Sequence, residues 1–187
     1  MKIFSIYSDV YPAEPSVRNT YLLADSAFLK NNKPFFLPEE GAPYAAYSAL
    51  VAPVTRVGKT ISRRFASRYY SDILPAVLFR AEGDIRTLSD EKCLLTNALS
   101  FDGALNTGFP AKGETIVWMN GDDRVECNIA EIKPLINLWI EQLSICNTLR
   151  TGDLLAFPVA QLTEVLQEDM KIEASSDGQQ LMKFFIK

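Results

Sequence analysis

The chain has 187 residues, of which 48% are hydrophobic and 22% charged, which fits one ordinary domain over 1–187 that buries about 70% of its unfolded surface. A formal net charge of -4 and a pI near 5.0 argue against a nucleic-acid binder, which carries a basic face and excess positive charge. Histidine is absent, so imidazole-based serine and cysteine hydrolases, HExxH zinc peptidases and histidine acid–base relays are excluded in their usual forms.

Any chemistry must therefore use carboxylates, lysine, tyrosine or a metal held by oxygen ligands. Cys93, Cys127 and Cys146 are odd in number and far apart, so neither a zinc site nor a disulfide framework is indicated and reduced thiols are expected. The apolar stretch after Met1-Lys2 ends at Ser8-Asp9, too short for a signal peptide, and no run approaches about 18 apolar residues. The expectation is a cytoplasmic, soluble protein with neither nucleic acid nor membrane as a partner.

In chain order, Lys2 to Tyr7 alternates as a starting strand, and Asp9 to Asn19, with Pro12 and Pro15, reads as an extended loop. Thr20 to Ala24 and Ala27 to Leu29 read as short strands; Asn31-Asn32-Lys33-Pro34 is a turn into Phe35-Phe36-Leu37, closed by Pro38-Glu39-Glu40-Gly41. Tyr44 to Val54, bounded by Pro43 and Gly58, is an apolar run too short for a membrane span and predicts a buried strand. Ile61 to Tyr70 switches to helical spacing, with Thr60 or Ser62 as cap. Arg56, Lys59, Arg63, Arg64 and Arg68 form a solvated helix face in the plain reading and an anion or partner patch in the sharper one. Ile73 to Ala81 is a second apolar strand.

Gly83 reads as a break, and Ser89 with Asp90 and Glu91 starts a helix through Cys93, Leu94 and Leu95 toward Leu99. Phe101 to Lys112 reads as an irregular connection. Glu114 to Met119 and Arg124 to Asn128 flank Asn120-Gly121-Asp122-Asp123, a hairpin signal because asparagine and glycine tolerate positive φ. Ile129 to Leu143 carries Ile132, Leu135, Ile136, Trp139, Ile140 and Leu143 on one helical face, with Pro134 early enough to be tolerated. After the Thr151-Gly152-Asp153 turn comes Leu154 to Phe157, and Met170 to Ala174 with Leu181 to Ile186 reads as a closing hairpin. Many short strands with two or three helices imply a β-rich α+β fold.

Five strings carry a resemblance: SAFLKNNKPFFLPEE from Ser26, VGKTISRRFASRYY from Val57, SFDG from Ser100, WMNGD from Trp118 and LRTGDLLAFP from Leu149. In this order and spacing the chain resembles a short member of the fumarylacetoacetate hydrolase family over nearly its full length. The resemblance implies a mixed β-sandwich roll, homodimeric, with Mg2+ or Mn2+ facing a dicarboxylate or β-keto acid. It implies a metal held by a Glu-x-Glu pair on one strand and an aspartate on a later one. Alternate strand residues point the same way, so two such carboxylates share one hard cation.

Carried onto this sequence, those positions hold no acid. From Gly41 through Ser71 there is no aspartate or glutamate. The Glu-x-Glu pair falls on Tyr47 and Ala49, or on Ala45 and Tyr47 with the other anchor; the later aspartate falls on Leu78, the family's lysine on Leu99, and its histidine is missing. The family's Thr-Gly-Thr-Pro loop is shortened to Ala156-Phe157-Pro158.

The expectation is thus a non-catalytic relative without a metal cofactor, acting as scaffold, as partner of a related subunit, or as binder of a small carboxylic acid. A relocated metal-dependent hydrolase, decarboxylase or isomerase site is the alternative, with ligands from Glu39, Glu40, Asp72, Glu82, Asp84 or Asp102 and with Lys59 or Lys112 on substrate. The candidate ligand-binding residues around the vacated family pocket are Tyr47, Leu78, Arg80, Leu99 and Asp102. Taken singly, each has a plainer reading: Tyr47 as core, Asp102 as a turn former, and Arg80, two residues past Leu78 on the same strand face, as surface.

Overall fold

The computed structural model describes residues 1–8, 10–30, 33–40, 42–90 and 96–187. Its centre is β4 (Tyr44–Pro53), in which nine consecutive residues are buried. Such a run forms only where both faces of a sheet are covered, which is why it shows no polar alternation. On one side β4 pairs antiparallel with β5 (Leu74–Ala81) and on the other with β9 (Leu154–Thr163). The remaining strands of this sheet are β1 (Ile3–Ile6), β2 (Thr20–Leu23), β3 (Phe28–Lys30) and β6 (Leu105–Thr107), giving the order β2-β1-β9-β4-β5-β6-β3. A second sheet has the order β11-β10-β7-β8, from β7 (Thr115–Asn120), β8 (Asp123–Asn128), β10 (Lys171–Ser176) and β11 (Gln179–Phe185). The expected β-rich α+β roll is the fold observed.

Two apolar cores cover the two faces of the large sheet. One contains Leu50, Val77, Phe79 and Phe157 with Trp118 of the second sheet and Trp139 of α3 (Ile129–Cys146). Asn128 caps α3, its side chain accepting from the Ala130 N–H at 2.9 Å, and Pro134 sits inside the helix. The other core holds Ala45, Tyr47, Ala49, Ala76, Leu78 and Leu105 with Ile3 and Leu23. Both tight hairpins form as read. At the second, Asp177 and Gly178 have φ of 48° and 75°, the left-handed pair a two-residue turn needs.

Four expectations are corrected. The helix read from Ser89 begins at Glu82: α1 spans Glu82–Asp90 and α2 spans Thr96–Leu99, while Glu91, Cys93, Leu94 and Leu95 lie outside the described residues, as do Asp9, Asn31, Asn32 and Gly41. Gly83 is tolerated in the first turn, where Glu82 and Asp84 complement the helix dipole. The helix expected over Ile61 to Tyr70 is a 3-10 run, Arg63–Arg68, without a side-chain cap; the guanidinium groups of Arg64 and Arg68 lie over the Phe65 ring, 4.5 and 4.8 Å from its centroid. The connection from Phe101 contains β6, inserted between β5 and β3. Finally, Ala156-Phe157-Pro158 is no loop. It runs through the middle of β9, where Pro158 opposes Ala49 beside a register shift, and a bulge is where a strand absorbs a missing N–H.

Candidate functional site

In the β4–β5 ladder Tyr47 opposes Leu78, Ala45 opposes Arg80 and Ala49 opposes Ala76. These side chains share one face of the large sheet. The alanines around Tyr47 leave space that two large side chains fill. Arg80, expected at the surface, is 1% exposed. Its guanidinium carbon lies 4.2 Å from the Tyr47 ring centroid, 5.0 Å from that of Tyr7 and 5.4 Å from that of Tyr11. A delocalised, weakly hydrated cation is the one basic group that stacks this way on ring faces. Arg80 Nη2 donates to the Ile6 carbonyl at 3.0 Å, and Nη1 donates to the Tyr11 hydroxyl. Tyr11, delivered by the proline-containing segment after β1, packs on Tyr47 with ring centroids 5.4 Å apart.

Tyr47 is 7% exposed, and its hydroxyl donates to Glu82 Oε1 at 2.8 Å. The half-buried carboxylate at the start of α1 therefore meets the cation cage only through a phenol. Burial, the hydrogen bond to Glu82 and that carboxylate's charge raise Tyr47 far above the ordinary tyrosine range. Burial also raises Tyr11, outweighing the pull of Arg80. Burial alone disfavours the charged guanidinium, but the phenols of Tyr21, Tyr11 and Tyr47 overcome it, so Arg80 is held above its ordinary value.

Tyr47, Leu78 and Arg80 are thus brought together, in a packed interior rather than a vacated pocket. Leu99 is not with them: it is buried in the other core, at the edge of an 820 Å³ surface cavity shared with Phe4, Tyr21 and Leu143. Asp102 is exposed, beside a groove lined by Leu29, Lys33, Pro34 and Phe36. Of the alternative ligands, Glu39, Glu40 and Asp72 are exposed, as are Lys59 and Lys112, and Glu82 and Asp84 are half-buried. Sequence reasoning missed Tyr7 and Tyr11 as parts of this cluster, and it offered Glu82 as a metal ligand where the structure has it accepting from Tyr47. The signal for Arg80 was present, since an arginine inside a continuous apolar run beside a wholly buried strand has nowhere to go but inward.

The residues do not fit the divalent metal that the resemblance implies. The positions carried over offer an engaged phenol and two alkyl groups, and among the described residues no group of three or more Cys, Asp or Glu side chains is placed to hold a metal ion. The guanidinium adds a further obstacle. A doubly charged ion about 4 Å from it meets roughly 8 kcal/mol of repulsion at an effective dielectric near 20.

No protein-family model matches the chain, and no curated protein matches it in sequence. Solved structures do match in fold. A fumarylpyruvate hydrolase from Pseudomonas aeruginosa, in complex with Mn2+ and pyruvate, superposes with a TM-score of 0.83 at 14% identity, covering 100% of this chain and 89% of that one. A protein from Yersinia pestis CO92 described as a fumarylacetoacetate hydrolase family member gives 0.81 at 16% identity, covering 100% and 92%. The 5-carboxymethyl-2-hydroxymuconate delta-isomerase of Mycobacterium smegmatis gives 0.75 at 15% identity, covering 99% and 78%. The chain has the fold of the fumarylacetoacetate hydrolase group.

Proposed function

We propose that this protein is a non-catalytic relative of the fumarylacetoacetate hydrolases, one that keeps their roll and serves as a binding or scaffolding subunit. The observation that carries the reading is the interior of the large sheet, where Tyr47, Ala49 and Leu78 are packed and Arg80 brings its own positive charge. A hard divalent ion needs several anionic or carbonyl oxygens converging on it, and this face supplies a phenol and a cation. Replacing buried carboxylates by apolar groups also removes a desolvation cost that only a bound metal offsets.

In this reading the protein acts in the cytoplasm as a homodimer or beside a related catalytic subunit. Among the described residues no helix is long and apolar enough to cross a membrane, which accords with it. The test is an acylpyruvate cleavage assay with Mg2+ or Mn2+, run alongside thermal unfolding in the same metals. The expected outcome is no turnover above buffer and no saturable rise in Tm at submillimolar metal. Metal-dependent turnover would overturn the reading. Sedimentation should give a species near twice 20.9 kDa or a complex with a longer related chain, and a strictly monomeric protein would remove the scaffolding part.

A further inference from the structure

The segment between β4 and β5 sets out a charged surface. Its Arg56, Lys59, Arg63, Arg64 and Arg68 are all exposed, and backbone contacts hold them in place. Thr55 N–H donates to the Tyr69 carbonyl at 2.8 Å, beside the antiparallel bridge of Val54 with Tyr70, so Arg56 and Arg68 are the next residues along that contact. Gly58 and Leu149 exchange backbone hydrogen bonds at 3.0 and 2.9 Å, which sets exposed Arg150 opposite exposed Val57. Arg63 Nη2 donates to the Pro134 carbonyl of α3 at 3.3 Å. Thr60 N–H donates to the Ser144 carbonyl at 2.8 Å, next to exposed Ile145.

Negative charge does not match these cations. Among the described residues none of them has a carboxylate within ion-pairing distance. Glu141 reaches the segment, but it accepts from the Arg63 backbone N–H at 2.8 Å. The guanidinium groups of Arg64 and Arg68 lie over the Phe65 ring, which fixes both charges side by side. Like charges gathered without counter-charge work against the compact state, so the fold alone does not account for them.

The chemistry of a partner follows from the residue types. Apart from Lys59 the cations are arginines, the base that meets a carboxylate bidentately and that protein interfaces favour over lysine. Val57, Phe65 and Ile145 are exposed apolar groups among them, the mixture of anchor and charge that protein contacts use. The whole chain has a formal net charge of -4, so beyond this patch its surface is acidic. A polyanion broader than the patch, such as a nucleic acid or an anionic membrane, meets that acidic remainder at separations within a Debye length of about 8 Å. A short acidic segment does not.

We propose that this surface docks an acidic segment of a partner protein, with carboxylates on Arg56, Arg64 and Arg68 and an apolar side chain against Phe65. The inference deepens the proposed function and rests on it, giving the binding subunit its contact face.

The test is fluorescence anisotropy of a short synthetic peptide of alternating aspartate and leucine, carrying an uncharged dye and titrated with the full chain. The expected result is saturable binding that weakens as salt rises, and none to the same peptide with asparagine for aspartate. Arg64→Glu with Arg68→Glu should raise the Kd about tenfold or more, two exposed attractions having become repulsions. Arg18→Glu with Lys112→Glu makes the same change of net charge at exposed sites elsewhere and should move the Kd less than about twofold. Equal losses in the two double variants, or tighter binding of oligothymidylate or phosphatidylserine vesicles at equal ionic strength, would overturn the proposal. Failure of the aspartate peptide to bind would overturn it too while leaving the metal-free reading intact; metal-dependent turnover would overturn that reading and leave the peptide result standing.

Discussion

Restoring one family carboxylate should unfold the protein rather than build a metal site. Ala49 is fully buried and opposes Ala76 and Pro158 across its two neighbouring strands. Ala49→Glu and Ala49→Gln add nearly the same volume, and overpacking of this kind costs about 1–3 kcal/mol in each. They differ in one respect. The glutamate must stay protonated in the folded state, and holding it neutral at pH 7, about 2.7 units above its ordinary pKa, costs about 3.7 kcal/mol at about 1.36 kcal/mol per unit. Arg80 offers no direct rescue, because it opposes Ala45, about 13 Å away along β4. The folded pKa is raised, so the stability of Ala49→Glu is full below the unfolded value and falls as pH rises. Urea unfolding followed by the buried Trp118 and Trp139 should show Glu less stable than Gln by about 4 kcal/mol at pH 7 and by about 1 kcal/mol at pH 5. With total stabilities of about 5–15 kcal/mol, Ala49→Glu lies near the edge of folding at neutral pH. Equal stabilities at pH 7, or a Glu variant that Mn2+ stabilises, would refute the reasoning.

Arg80→Ala should cost about 2–4 kcal/mol by urea unfolding, from two charged hydrogen bonds and the ring contacts less the relief of desolvation, whereas Arg86→Ala, at an exposed site, should stay within about 0.5 kcal/mol; equal small effects would contradict the buried placement. Between pH 6 and 8 stability should be nearly flat, since the chain lacks histidine. Above about pH 10 it should fall, because burial raises Tyr11, Tyr44, Tyr47 and Tyr70 in the folded state and a raised acid loses its contribution as pH climbs through its folded pKa; alkaline melting curves without that fall would count against the buried phenols. In a Cys93→Ser background a thiol reagent should label one native cysteine, exposed Cys146, and miss Cys127, which is buried and pushed up to about 11 by burial and the charge of Glu131; rapid labelling of both would show that Cys127 is open.

Much of the fold was legible because local chemistry decided it. Tyr44 to Val54 could only be a doubly covered strand, Gly121 and Asp177-Gly178 carry their turns in their φ preferences, and the apolar stripe of α3 has one period. The misses have equally local causes. Gly83 reads as a break, yet glycine in a first turn costs little when acids flank it. Leu105-Asn106-Thr107 is too short to show alternation, and Pro158 hides a strand because its missing N–H falls at a bulge. The site was legible only as an absence of acids. What fills that absence comes from long-range pairing: β1 reaches the site by lying parallel to β9, and no spacing within the chain brings Ile6, Tyr7, Tyr11 and Tyr47 around Arg80. Residue type misled there, since arginine reads as surface until its apolar flanks are weighed.

The central claim is that the interior of this roll holds a fixed organic cation where its structural relatives' resemblance implies a divalent one. The most direct measurement is a titration of Mn2+ into the protein, following the electron paramagnetic resonance signal of the free aquo ion. The account predicts a signal that grows in proportion to added Mn2+ from the first addition, identical for wild type and Arg80→Met. Loss of about one equivalent of free signal at submillimolar Mn2+ in the wild-type protein would contradict it.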